Sequence, residues 1–445
     1  MFGFKFLGNT RIPHRKSTAS MPGVRMTPPS EVLLPVSQHI GAPATLLVKK
    51  GDEVKLGQKI AEAQGAVSSP VYSSVSGTVV GIETYMRPTG VRVDAVRIAS
   101  DGLMTVADSV TPPTVTDLDS FIDAVRESGV VGLGGAGFPT AVKLSAEKSA
   151  SIDTVIINAA ECEPYLTSDT RTMLDATELV KRGIELLETY FSAKQYVFAI
   201  EKNKPECIET IRATFDGDDR VSVCVLPALY PQGAEKVAIY NTTKRIVPEG
   251  KLPADVGVLV INVTTLAKIA EYITTGLPLV EKCVTVDGSA ITSPMNVIAP
   301  IGTPIRDLVE FTGGLSKPAG KIIYGGPMMG VAAESLDDPI AKTTNGITVF
   351  DECGAQTSEP TACIHCGRCV RACPLGLNPI VFADSLNIDS KEDRMARLDS
   401  YKVNICMECG CCSFVCPAHR PLVQNNKIGK AELRDYKAHQ QTLED

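Results

Sequence analysis

Two short runs hold the residues best suited to chemistry. They are "CIHCGRCVRACP" (Cys363 to Pro374) and "CMECGCCSFVCP" (Cys406 to Pro417), and both read C-x2-C-x2-C-x3-C-P. Of the 14 cysteines in the chain, nine lie between Cys363 and Cys416, a density that points to metal or redox chemistry rather than to disulfides. Structural zinc sites use separated pairs of ligands, not four cysteines packed this closely. Three thiolates at two-residue gaps can instead wrap a metal–sulfur cube corner by corner. Gly367 and Gly410 allow the tight turns this needs, and Pro374 and Pro417 end each run without supplying an N–H.

The spacing is that of bacterial two-cluster ferredoxins, in which the fourth cysteine of each run serves the other cluster. Cys363, Cys366, Cys369 and Cys416 are therefore expected to hold one [4Fe–4S] cluster, and Cys406, Cys409, Cys412 and Cys373 the other. Cys411 is left over and is expected to pack. His365 is expected on a solvated face.

A second candidate is "GLGGAGFPTAVK" (Gly132 to Lys143). Its glycines let the backbone approach a ligand and aim N–H groups at phosphate. Phe138 offers an aromatic face, and Lys143 could reach a phosphate. Alone, the loop is as good a packing turn as a cofactor cradle, because it lacks the G-x-G-x-x-G pattern. Polar loops accompany it: Asn158, Glu161 and Glu163 in "NAAECEPYLTSD"; Tyr230, Gly233, Glu235 and Lys236 in "YPQGAEK"; Asn262, Thr264 and Thr265 in "INVTTLAKI". Each follows a β-type run, and ligands of open α/β sheets sit at strand C-termini.

The positioning elements follow from pattern. Residues 1–30 read as an irregular arm. Residues 31–110 carry short β-branched runs with turns at Gly51-Asp52 and Gly77, and resemble the barrel-sandwich of biotinyl and lipoyl carriers. The matching tip, "AQGAVSSP", has no lysine, which implies structure and docking. Residues 111–270 alternate strands with helices, the mark of a parallel α/β sheet. Asp117 is a candidate N-cap there, "TRTMLDATELVKRGIELLETYF" reads as one helix, and "VSVCVLP" and "VGVLVINV" as buried strands. Residues 271–335 form a small α+β unit, 336–356 a connector, 357–425 a helical two-cluster domain with helices at 378–386 and 391–401, and 426–445 a tail.

Composition sets outer bounds. The 445 residues exceed one ordinary core. Hydrophobic residues at 44% and charged ones at 21% are globular values. A net charge of −7 argues against nucleic acid as the main partner. No apolar run approaches the roughly 18 residues of a membrane span, and the N-terminus lacks the apolar region of a secretory signal. A soluble, cytoplasmic chain is expected, with any membrane contact made through partners.

The loops "GLGGAGFPTAVK", "NAAECEP", "YPQGAEK" and "INVTTLA" resemble the flavin- and NADH-binding 51 kDa type subunit of respiratory complex I. With "PVSQHIGAPATLLVKKGDEV" ahead and two ferredoxin runs behind, nearly the whole chain resembles the RnfC family of Rnf ferredoxin:NAD oxidoreductases. The resemblance implies FMN and NAD(H) as cofactors and an SLBB (β-grasp) domain around Cys283 to Gly314. Gly132, Gly134, Lys143, Asn158 and Glu161 match FMN positions, Gly135 and Phe138 nicotinamide positions, and Glu163 both. Tyr230, Gly233, Glu235, Asn262 and Thr265 complete the expected pocket. Leu133, Ala160 and Ala234 depart from the complex I pattern of Arg, Asp and Glu.

The implied reaction is a hydride exchange between nicotinamide and flavin with no catalytic side chain. Single electrons then move through two clusters to other Rnf subunits, which couple the flow to Na⁺ or H⁺ at the cytoplasmic membrane face. A cobalamin reductase of the propanediol-utilisation type and a non-enzymatic electron-transfer adaptor are the alternatives.

Overall fold

The computed structural model describes residues 8–88, 90–148, 151–191 and 193–444. Residues 1–7 of the expected arm and Asp445 of the expected tail lie outside them. At the centre is a parallel sheet in the order Val221–Leu226, Gln195–Glu201, Thr154–Ala159, Val258–Asn262. Helices cover its faces, so Val155, Ile156, Ile157, Leu259 and their neighbours are sealed from water, which is why these strands read as unbroken apolar runs. Val221–Leu226 differs from the expected buried strand. It is an edge strand and stays half exposed over most of its length.

Asp117 caps the helix Leu118–Glu127 and shares a capping box with Ser120. The stretch expected as one helix is two, Ser168–Asp175 and Thr177–Phe191. The Thr177 hydroxyl donates to the Met173 carbonyl at 2.7 Å, taking an acceptor at the end of the first helix.

The N-terminal sandwich has two antiparallel sheets. One orders Glu31–Pro35, Arg92–Ser100, Gly77–Met86 and Glu53–Val54; the other Thr45–Leu46, Lys59–Glu62 and Val71–Tyr72. Gly77 was expected in a turn but opens the long strand at φ +152°, where a Cβ would stand 2.0 Å from the Ala99 carbonyl oxygen. Close approach, not turning, requires glycine there. The lysine-free tip docks: buried Lys342 donates to the Ser69 hydroxyl (3.2 Å) and to the carbonyls of Pro70 (2.6 Å) and Gly129 (2.8 Å).

The third unit departs from the expected limits. Its six-stranded sheet runs Val24–Arg25, Met295–Pro300, Glu281–Asp287, Gly346–Asp351, Ala319–Tyr324, Val331–Ala332. The arm, read as irregular, thus supplies an edge strand, and the expected connector 336–356 supplies an interior one. The helix Val263–Thr275 also runs across the boundary drawn at residue 270. Pairings this remote leave no local pattern in the chain.

The last unit is helical: Arg368–Ala372, Pro379–Ser385, Lys391–Ser400, Cys411–Phe414 and Leu422–Glu444. Most of the expected tail is therefore helix. It packs Leu433 on Phe382, Met395 and Leu398. Among the described residues, no helix is long and apolar enough to cross a membrane.

Candidate functional site

The glycine loop is tied at its neck, where Gly132 N–H donates to Phe138 O (2.8 Å) and Gly137 N–H to Gly132 O (3.0 Å). Its tip, Gly134, Gly135 and Ala136, is exposed. Among the described residues, these three amide N–H groups make no hydrogen bond. Gly135 sits at φ +108°, and open space surrounds the place a Cβ would take. Three free donors at a glycine tip suit a phosphate or a cofactor edge. Phe138 is half-buried at the loop's return.

Asn262 and Thr265 support this loop from below. Asn262 ends its strand and caps the helix Val263–Thr275, accepting from Thr265 N–H at 3.1 Å. Thr265 Oγ1 accepts from Leu133 N–H at 2.9 Å. A Cβ on Gly134 would stand 3.2 Å from Asn262 Nδ2. Asp169, which the motifs did not single out, anchors the group by accepting from Asn262 Nδ2 (2.8 Å) and Thr264 Oγ1 (2.6 Å). Burial, then the neighbouring Glu161 carboxylate, lifts the Asp169 carboxyl to about 6. Lys143 pairs with Glu235 at 2.7 Å, a link between the helix after the glycine loop and the helix after Gly233. Asn158 donates to the Gly233 carbonyl at 2.8 Å.

Three expected pocket residues are engaged elsewhere. Glu161 accepts from Asp169 N–H (2.7 Å), Thr170 N–H (3.2 Å) and Thr170 Oγ1 (2.6 Å), and so caps the helix Ser168–Asp175. Glu163 accepts from the amides of Met328 (3.1 Å) and Met329 (2.7 Å). Burial lifts its carboxyl to about 7, against the pull of those two amides. Tyr230 is 1% exposed, and among the described residues its hydroxyl has no partner. It lies in one apolar cluster with Ile12, Cys409 and Cys411, flanked by Cys162 and Met328.

The arm threads between these parts. Thr10 and Tyr230 exchange backbone hydrogen bonds at 2.8 and 2.9 Å. Lys16 reaches into the loop after Asn158 and donates to the carbonyls of Glu161 (2.8 Å), Glu163 (2.8 Å) and Leu166 (2.5 Å). Burial pushes its ammonium down to about 8, although Glu161 opposes the shift. Thr18 and Ala19 carbonyls accept from Asn296 and Arg171, both at 3.0 Å. Only the basic letters of "RIPHRKS" hinted at any of this.

The eight cysteines form two quartets. Cys373, Cys406, Cys409 and Cys412 line one cavity, and Cys363, Cys366, Cys369 and Cys416 another. The fourth cysteine of each run thus lies with the first three of the other. Four cysteine sulfurs around each cavity, drawn from both runs, suit a cluster. Gly367 and Gly410 sit at φ +69° and +78°, where each run turns into a helix. Cys411 is fully buried in the interface, and His365 is exposed.

Four stretches match known domain families. Residues 4–103 match the RnfC barrel sandwich hybrid domain, 125–271 the Nuo51 FMN-binding domain, 283–332 the SLBB domain and 362–419 the 4Fe-4S dicluster domain. A subunit of the Na(+)-translocating ferredoxin:NAD(+) oxidoreductase complex of Acetobacterium woodii is 44% identical, over 85% of this chain and 86% of that one. Its counterpart in the proton-translocating complex of Clostridium ljungdahlii is 42% identical, over 82% and 80%. The counterpart in the ion-translocating complex of Pseudomonas aeruginosa is 36% identical over 97% of this chain and 56% of a longer one. A chain of the NAD+-reducing [NiFe]-hydrogenase in the H2-reduced state shares the fold, with a TM-score of 0.50, 19% identity, and coverage of 71% of this chain and 63% of that one. FMN and [4Fe–4S] clusters are the cofactors of these domains, and the chain is an electron-transfer subunit of an oxidoreductase. It belongs to the RnfC family of subunits of the ion-translocating ferredoxin:NAD(+) oxidoreductase, or Rnf, complexes.

Proposed function

We propose that the chain exchanges electron pairs with NAD(H) at an FMN beside the glycine loop. It then conducts single electrons through the quartet of Cys373, Cys406, Cys409 and Cys412 and on to that of Cys363, Cys366, Cys369 and Cys416. Each quartet holds one [4Fe–4S] cluster. Beyond the second stand other Rnf subunits at the cytoplasmic face of the membrane, which couple the flow to Na⁺ or H⁺ transport. Bound at the site, nicotinamide and flavin supply the chemistry themselves, a hydride passing between C4 of one and N5 of the other.

The protein's part is to position and to insulate. Gly132, Gly134 and Lys143, with Asn158 and Gly233, frame the flavin side, and Gly135 and Phe138 the nicotinamide side. Glu161 and Glu163 act through the loops they hold, and Asn262 and Thr265 through the glycine loop they support. Lys143, held by Glu235 at 2.7 Å, would meet a phosphate once that pair opens. The fit rests on the three free amides of the loop tip and on donor sets made only of cysteine sulfur.

One observation carries the reading. Tyr230, from the flavin domain's loops, shares one apolar cluster with Cys409 and Cys411, and Cys162 flanks that cluster. Cys411 Sγ lies 3.9 Å from the Tyr230 carbonyl oxygen. The first quartet is therefore the near one and the second the far one. The matched barrel-sandwich domain favours this reading over a cobalamin reductase.

The test is an anaerobic titration of the reconstituted full chain. About eight irons per chain are expected. With FMN present, NADH should bleach the flavin first and the cluster absorbance after it. Clusters that dithionite reduces but NADH plus FMN does not would leave the adaptor reading in its place.

A further inference from the structure

We propose that Asn426 is a positioning residue that raises the reduction potential of the near cluster, deepening the reading above and resting on its cluster assignment. Asn426 lies on the helix Leu422–Glu444 and lines the near cavity. It is 2% exposed. Its Nδ2 stands 3.5 Å from Cys406 Sγ and 4.0 Å from Cys412 Sγ. Its Oδ1 is buried and, among the described residues, has no hydrogen-bond partner.

That arrangement is costly as packing, since a buried carbonyl oxygen goes unpaired where an apolar side chain would leave nothing unpaired. It makes sense if the sulfurs are iron-bound thiolates. Such sulfurs only accept, so the amide must turn its N–H groups to them and leave Oδ1 without a donor. One turn further along the helix, Lys430 donates to Cys406 O (2.9 Å) and pairs with Glu408 (2.6 Å), fixing the backbone that carries Cys406. Among the described residues, no side-chain N–H reaches a sulfur of the far quartet.

An N–H donor at a cluster sulfur stabilises the more negative, reduced state, and hydrogen bonds to sulfur are among the factors that set cluster potentials. Asn426 therefore makes the near cluster easier to reduce than the same cluster without the amide. That favours the first electron step away from the flavin.

The experiment is a potentiometric titration of the full reconstituted chain, followed by electron paramagnetic resonance, for wild type, Asn426→Leu and Asn426→Gln. In Asn426→Leu, one signal should lose about tenfold in its reduced-to-oxidised ratio at fixed potential, a downward shift of about 59 mV for one electron. The other signal should stay in place, and Asn426→Gln, which keeps the amide, should recover most of the shift. Full iron loading in Asn426→Leu with both potentials unmoved, or moved together, would overturn the proposal. If Asn426→Leu does not load, the smaller Asn426→Ala, which has no donor, is titrated and judged by the same shift. Wild type with half the iron, or with a single signal, would overturn the cluster assignment itself.

Discussion

The two cysteine quartets carry the same spacing and end in opposite surroundings. In the near one, Cys409 and Cys412 are 8% and 7% exposed. Tyr230, the loop carrying Met328, the arm and the last helix all lie over it. In the far one, Cys369 is as buried, at 6% exposed, but Cys366 is exposed and Ile364 beside it is 68% exposed. Spacing gathers the sulfurs into quartets. What is laid over each one is what separates the proposed flavin-side quartet from the proposed partner-side one.

The strongest way to break this comparison is to remove one cluster at a time. Cys409→Ala should cut the iron content from about eight to about four and leave NADH able to bleach flavin but not the remaining cluster. Cys366→Ala should cut iron equally yet leave both flavin and the near cluster reducible. Stopped-flow absorbance on both variants reads the difference, and identical behaviour would erase the near and far roles.

Cover is the next contrast. Ile12 is 6% exposed and packs with Tyr230 and Cys409, so Ile12→Ala should cost about 2–4 kcal/mol. Ile364→Ala, on the open side, should cost less than about 0.5 kcal/mol. Urea unfolding of the loaded chains compares them directly. Lys16→Met strips three loop carbonyls of their donor and should cost about 1–3 kcal/mol. The same urea series, read with FMN retention on a desalting column, checks it.

A third contrast is a slope with pH. Burial holds the Glu163 carboxyl at about 7 against an ordinary 4.5, so the folded chain keeps its proton longer than the unfolded one. Stability from this group is complete below about pH 4.5, falls as the pH rises to about 7, and is flat above. Glu163→Gln should lack that part of the slope. A pH series of unfolding midpoints that is parallel for both proteins would remove Glu163 from the cover of the near quartet.

Much of this molecule was legible before its fold. Cysteine spacing is set by the size of what the thiolates wrap, so eight letters suffice. The glycine loop and the polar strand ends were legible for a similar reason, because their geometry is local. Glu161, Glu163 and Tyr230 show where that logic stops. Their motifs place them at the pocket, but helix capping, the Met328 loop and the domain interface occupy their polar groups or bury them. Lys16, the strand Gly346–Asp351 and Asn426 were not legible, because each matters through partners far along the chain. Gly77 read as a turn because a glycine needed for close approach looks the same in sequence as one needed for turning.

The arm has a consequence for how the protein is made. Residues 8–25 are synthesised hundreds of residues before their seats at Tyr230, Asn296 and Cys373. The contact from Thr18 to Asn296 spans 278 positions, and such long closures form slowly. Residues 8–25 can thus take their seats over the near quartet only after the cysteine runs have been made.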